Sequence, residues 1–119
     1  MLSGSGATNG TVNFGALTFT SAGTVTIFED SSAGVLGTQL TSTSTADTLV
    51  LNAAGAITDD ATSSLVVTNN ASFTANSGAA DITLGDGAGD NVQLGTLTFN
   101  GAAVSITEND AMQLAGAND

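Results

Sequence analysis

At 119 residues, 41% of them apolar, the chain is long enough for one domain with an apolar core or for several turns of a repeat, and the apolar content argues against disorder despite a net charge of −11. It has no Lys, Arg, His, Cys or Pro, so no side-chain salt bridge or disulfide can form. Nucleic acid is disfavoured as a partner, because phosphate binding needs Lys and Arg to release counterions.

From the N-terminus, Met1-Leu2-Ser3-Gly4 lacks the basic head and apolar stretch of a signal peptide. If the protein is exported, its signal lies outside this chain. No apolar run approaches the roughly 18–20 residues of a membrane span, and membrane insertion is not expected. A chain without Lys or Arg offers trypsin-like proteases no site, which suits an extracellular or cell-surface location.

Apolar pairs at i, i+2 then recur along the chain about every eight residues: Leu17/Phe19, Val25/Ile27, Leu49/Leu51, Leu65/Val67, Phe73/Ala75, Ile82/Leu84, Leu97/Phe99 and Val104/Ile106. Residues two apart in a strand point to one face, so each pair predicts a short strand with one buried side. Gly, Asn, Asp, Ser and Thr, the residues of tight turns, lie between the pairs. Asn69-Asn70 and Asn76 are expected at corners that tolerate left-handed backbone. No helical stripe lasts two turns.

The chain repeats itself. Thr11 to Phe19 aligns without a gap on Asn91 to Phe99, an offset of 80 residues, and Val25, Ile27 and Glu29 then match Val104, Ile106 and Glu108. Leu49 and Leu51 match Leu97 and Phe99. The single domain, 1–119, thus holds about one and a half copies of an 80-residue unit, with motif copies near 16–36, 48–65 and 96–114. The expected fold is all-β, a parallel β-solenoid with two or three short strands per coil. A β-sandwich is the alternative. Spacings of 32 and 48 residues between Leu17, Leu49 and Leu97 suit a two-strand coil of about 16 residues. Val25, Leu49, Phe73 and Leu97 are 24 apart and suit three strands equally well.

The stretch from Ser64 to Ala111, with its order LTF, corner, VxI, acidic turn, AITD, NASFT and ITLGD, resembles the β-strand repeat arrays of large bacterial surface and secreted proteins, in the style of filamentous haemagglutinin and autotransporter adhesins. The resemblance covers essentially the whole chain. It implies a structural repeat module of an extracellular stalk, fibre or adhesin, without catalytic residues. Its partners would be neighbouring repeats of the same protein or identical subunits. Two alternatives are a self-assembling filament subunit stacking end to end and a domain that binds a surface glycan or receptor. Such arrays are usually far longer, so the chain is expected to be a segment of an array or a small subunit with open ends.

Candidate chemistry is confined to carboxylates. Gly85-Asp86-Gly87-Ala88-Gly89-Asp90 partly matches the calcium β-roll nonapeptide, although Asp86 and Ala88 stand where that motif wants Gly. Acidic corners follow the VxI-type strand in each motif copy: Glu29-Asp30, Asp59-Asp60 and Glu108-Asn109-Asp110. Stacked copies would line these charges along one edge. The corners read first as turn-forming residues and an edge that repels side-by-side aggregation. The alternative is a row of weak calcium sites, with Asp86, Asp90, Glu108, Asp110, Asp59, Asp60, Glu29 and Asp30 as candidate ligands. No cofactor is otherwise expected. Glu29 and Glu108, the only glutamates, share a repeat position and do not resemble a glycosidase pair. Ser nucleophiles lack a His or Lys base. The chain is not expected to be an enzyme.

Overall fold

The computed structural model describes residues 2–3, 15–29 and 38–119. Its strands are β1 (Leu2–Ser3), β2 (Ala16–Leu17), β3 (Thr24–Phe28), β4 (Thr38–Leu40), β5 (Thr43–Ala53), β6 (Ile57–Asp59), β7 (Ser64–Ala75), β8 (Ile82–Leu84), β9 (Asn91–Asn100), β10 (Val104–Ile106) and β11 (Gln113–Leu114). Odd-numbered strands form one sheet in the order β1-β3-β5-β7-β9-β11, and even-numbered strands form a second in the order β10-β8-β6-β4-β2. Every pairing is parallel. The chain winds as a β-solenoid of about four turns. Parallel pairing between strands a full coil apart rules out the antiparallel sandwich.

Register gives the coil length. Val25 pairs with Leu49, Leu49 with Ala71, Ala71 with Leu97 and Leu97 with Leu114. Successive coils therefore advance by 24, 22, 26 and 17 residues. The long strands β5, β7 and β9 are each two straight runs, because the register shifts between Ala46 and Thr48 and between Val67 and Asn70. Ala46 and Leu49 both face inward across that shift, with half-buried Asp47 and Thr48 between them. A shift of this kind bends a strand. Three runs per coil result: the two halves of a long strand and one short strand of the second sheet.

Gly95 lies at this bend in β9. A Cβ there would run into the carbonyl oxygens of Thr68 and Asn69 in the coil below, so only glycine lets the two corners stack. Asn69 and Asn70 occupy the equivalent bend in β7 with extended backbone, contrary to the left-handed corner expected of them. Asn76 does adopt positive φ, as do its neighbour Ser77 and the corner residue Ser42.

All eight apolar pairs point into the core or pack against it. They stack into columns, among them Leu49–Ala71–Leu97 and Ile27–Leu51–Phe73–Phe99 in the first sheet and Ile57–Ile82–Val104 in the second. Leu49, Leu51, Phe73, Ile57 and Ile82 have no exposed surface. Burying such side chains contributes roughly 1.5–3 kcal/mol each. Proline is incompatible with the interior of these ladders, where each strand N–H donates to the neighbouring coil.

The columns place the 80-residue match on two different faces. Leu17 stacks on Leu40 in the second sheet, whereas its counterpart Leu97 lies in the first sheet between Ala71 and Leu114. Val25 and Val104 are exchanged in the opposite sense. The acidic corners consequently do not form one row. Glu29 follows a strand of the first sheet, whereas Asp59 ends a strand of the second and Glu108 follows another strand of the second.

Candidate functional site

The candidate carboxylates among the described residues lie at the ends of strands or in the turns after them. In β6 both Ile57 and Asp59 face inward and are buried, with Thr58 between them directed outward. Asp59 pairs in register with Leu40 of the preceding coil, so a carboxylate stands where that coil has a buried leucine. Leu84 and Ile106 pair with each other in the coils that follow.

Two stacked turns meet at Asp59. The first, residues 60–63, is a local Asx turn in which Asp60 Oδ1 accepts from Thr62 N at 3.0 Å. The second is the Gly-rich loop after β8. Gly85 has φ +72°, and a Cβ there would strike the Thr107 carbonyl. Its N–H donates to Asp59 Oδ2 at 2.8 Å, and the Ser63 hydroxyl donates to the same oxygen at 2.9 Å. Asp90 is held by both turns: Oδ1 accepts from Ser63 N at 3.0 Å and Oδ2 from Gly87 N at 2.6 Å. Asp59, Asp86 and Asp90 each place a carboxylate oxygen within 4.8 Å of the others. Asp59 is buried, Asp90 half-buried and Asp86 exposed.

Burial is the main force on Asp59 and pushes its carboxyl above the usual range. The Gly85 N–H and the Ser63 hydroxyl oppose this by stabilising the charged form, and the Asp90 and Asp86 charges add to the rise. Asp59 Oδ1 is buried and accepts no hydrogen bond. The groups present are oxygen donors only.

The other candidates lie apart from this cluster. Glu29 is buried and accepts from Ala54 N at 2.9 Å through Oε2. Glu108 Oε1 accepts from Leu94 N at 2.9 Å, and Oε2 from Asp110 N at 3.0 Å. Both glutamates thus accept a backbone N–H of another coil, Glu108 from within β9 and Glu29 from the residue just after β5. Asp110 is exposed and accepts from Ala111 N. Asp60 is used by its own turn, and Asp30 lies outside the described residues.

Comparison with known protein families, with curated proteins and with solved structures gives no match to this chain.

The sequence nominated both halves of the acidic cluster, the Asp59 corner and the Gly85–Asp90 loop, as separate motifs. It did not indicate that they meet, since they belong to successive coils. Ser63 was missed, although its position four residues after Asp59 in a turn-rich stretch is a usable signal. Asn109 was read as part of a turn, without the strand residue that it caps. Its Oδ1 accepts from Val92 N. Grooves of about 270 and 440 Å³ lie beside Glu108 and Glu29 respectively. The first is lined by Gln93, Leu94 and Asp110, the second by Phe28, Asn52 and Asn76.

Proposed function

We propose that the chain is a structural, non-catalytic repeat module of a bacterial extracellular stalk, fibre or adhesin. The observation that carries this reading is the pair of continuous parallel ladders running through successive coils. Each coil donates its strand hydrogen bonds to the next along one axis, while the middle of the apolar columns, at Leu49, Leu51 and Phe73, is closed from solvent. Such a rod resists extension and bending without disulfides, which this sequence cannot make. The outward positions are rich in Thr and Asn, which solvate the surface, and the uniform negative charge keeps rods apart laterally. The surface location rests on the resemblance to bacterial surface arrays and on the absence of trypsin-type cleavage sites. No helix among the described residues is long and apolar enough to cross a membrane.

The test is a tandem fusion of two copies viewed by negative-stain microscopy and small-angle scattering. The expected particle is a rod of unchanged cross-section and roughly doubled length. Two globules joined by a flexible hinge would overturn the reading. Immunolabelling of intact source cells should place the epitope outside.

One observation favours a second reading, a subunit that stacks end to end. Leu114 continues the column of Leu97 yet is 63% exposed, and Val104 and Ile106 are only half-buried in the last strand of their sheet. An uncovered strand edge templates pairing. Sedimentation of the purified chain at rising concentration tests it, and a strictly monomeric species would eliminate it.

A further inference from the structure

We propose that Asp59, Asp86 and Asp90 hold one hard divalent cation of the calcium class, bridging two successive coils of the solenoid. The starting point is the position of Asp59. It is only 8% exposed and occupies an inward site that the previous coil fills with Leu40. A carboxylate in such a place is costly unless its charge and lone pairs are compensated. Oδ2 is provided for by Ser63 and Gly85. Oδ1 is not: it is buried and no donor reaches it.

Within this protein, no side chain can supply the missing charge, because the chain contains no Lys, Arg or His. The groups nearest Asp59 make the deficit larger, since Asp86 and Asp90 are carboxylates too. A cation from solvent resolves both problems. Three carboxylate oxygens within 4.8 Å of one another match the separations that oxygens take around a single ion with bonds of about 2.3–2.6 Å.

The donor set selects the ion class. It consists of carboxylates, with neither imidazole nor thiolate in the chain, and such a set suits calcium rather than zinc or copper. The hydrogen bonds from Ser63 N and Gly87 N to Asp90, and from Gly85 N to Asp59, fix the carboxylates before any ion arrives. Exposed Asp86 leaves one side open for entry and for water ligands. The site is a staple: Asp59 belongs to one coil and the Gly85–Asp90 loop to the next.

The test is calorimetric titration of the EDTA-stripped full chain with calcium chloride in about 0.15 M sodium chloride, where diffuse surface electrostatics are largely screened. The expected result is one saturable site per chain, with a dissociation constant in the range of about 10⁻⁴–10⁻³ M found for extracellular calcium modules, and a raised melting temperature. Asp86→Asn, at an exposed position, should weaken binding at least about tenfold. Asp110→Asn, a carboxylate outside the cluster, should leave it unchanged. Absence of saturable heat at about 10 mM calcium, an order of magnitude above that range, would overturn the proposal. So would equal losses in the Asp86 and Asp110 variants, which would mean diffuse attraction to a polyanion.

Discussion

Asn109 and Val92 exchange two hydrogen bonds of 2.8 Å: Asn109 N donates to Val92 O, and Asn109 Oδ1 accepts from Val92 N. A side-chain amide here imitates the strand that the shortened last coil lacks. Leu94 N, the next inward-facing donor of β9, is met in the same way by Glu108 Oε1. The Glu108-Asn109-Asp110 turn is therefore a cap on an exposed ladder edge. Asn118 repeats the device further along, accepting from Phe99 N at 3.0 Å.

Asn109→Ala should thus destabilise the protein by about 1–3 kcal/mol, because Val92 is fully buried and its N–H would lose its acceptor. Urea denaturation measures the change. Asp110→Ala, which removes only an exposed local turn contact, serves as the control and should cost clearly less.

Phe73 is completely buried in the column between Leu51 and Phe99. Phe73→Ala should lower stability by about 3–5 kcal/mol. In a stack where each coil touches only its neighbours, the cavity should also uncouple the halves. A broadened or biphasic unfolding curve is expected, and an unchanged single transition would contradict it.

Thr38 occupies the inward position that pairs with Ile57, and its hydroxyl is buried without a partner. Thr38→Val keeps the shape and removes the orphaned group. It should stabilise the chain by about 1 kcal/mol, the lower end of the cost of burying an unsatisfied polar group. A loss of stability on chemical denaturation would show that the hydroxyl is satisfied in solution.

In calcium-free buffer, stability should increase as pH falls from neutrality into mild acid. Asp59 in the folded chain has its carboxyl raised above the ordinary 3.8, so between the two values the folded state binds more protons than the unfolded state. Stability from this group is complete below the unfolded value and is lost as pH rises through the folded one. Asp59→Asn should remove this component of the pH dependence, read as melting temperature against pH.

Raising sodium chloride from about 0.01 to 0.15 M shortens the Debye length from about 30 to 8 Å. With eleven acidic side chains and no basic one, the side chains of the folded chain carry only like charges, and screening should raise the melting temperature. A flat response would show that the charges are already far enough apart to be independent.

The strands visible in the sequence were those with two apolar residues on the inward side. Leu17/Phe19 to Val104/Ile106 all lie in the core or pack against it. β4 and the first half of β5 escaped notice because one inward residue of each is polar, Thr38 and Ser44, and β6 showed only as the strand before the Asp59-Asp60 corner, since its second inward residue is Asp59; all three polar residues are buried. Period-two alternation depends on that contrast and fails where the core itself takes in a hydroxyl or a carboxylate.

The acidic Glu108-Asn109-Asp110 turn and the Gly85–Asp90 loop were equally legible as turns, but what they touch was not. Sequence alone determined that the chain is all-β, built of short one-sided strands without proline, and free of any internal cation for its carboxylates. Only the tertiary structure decided that three runs make a coil, that the 80-residue match changes face, and that Asp59 comes to lie against Asp86 and Asp90. The physical reason is that alternation is local and identical on every face of a solenoid. The contacts between coils depend on how many residues each corner consumes, and the 22- to 26-residue advance of the full coils shows that this number varies.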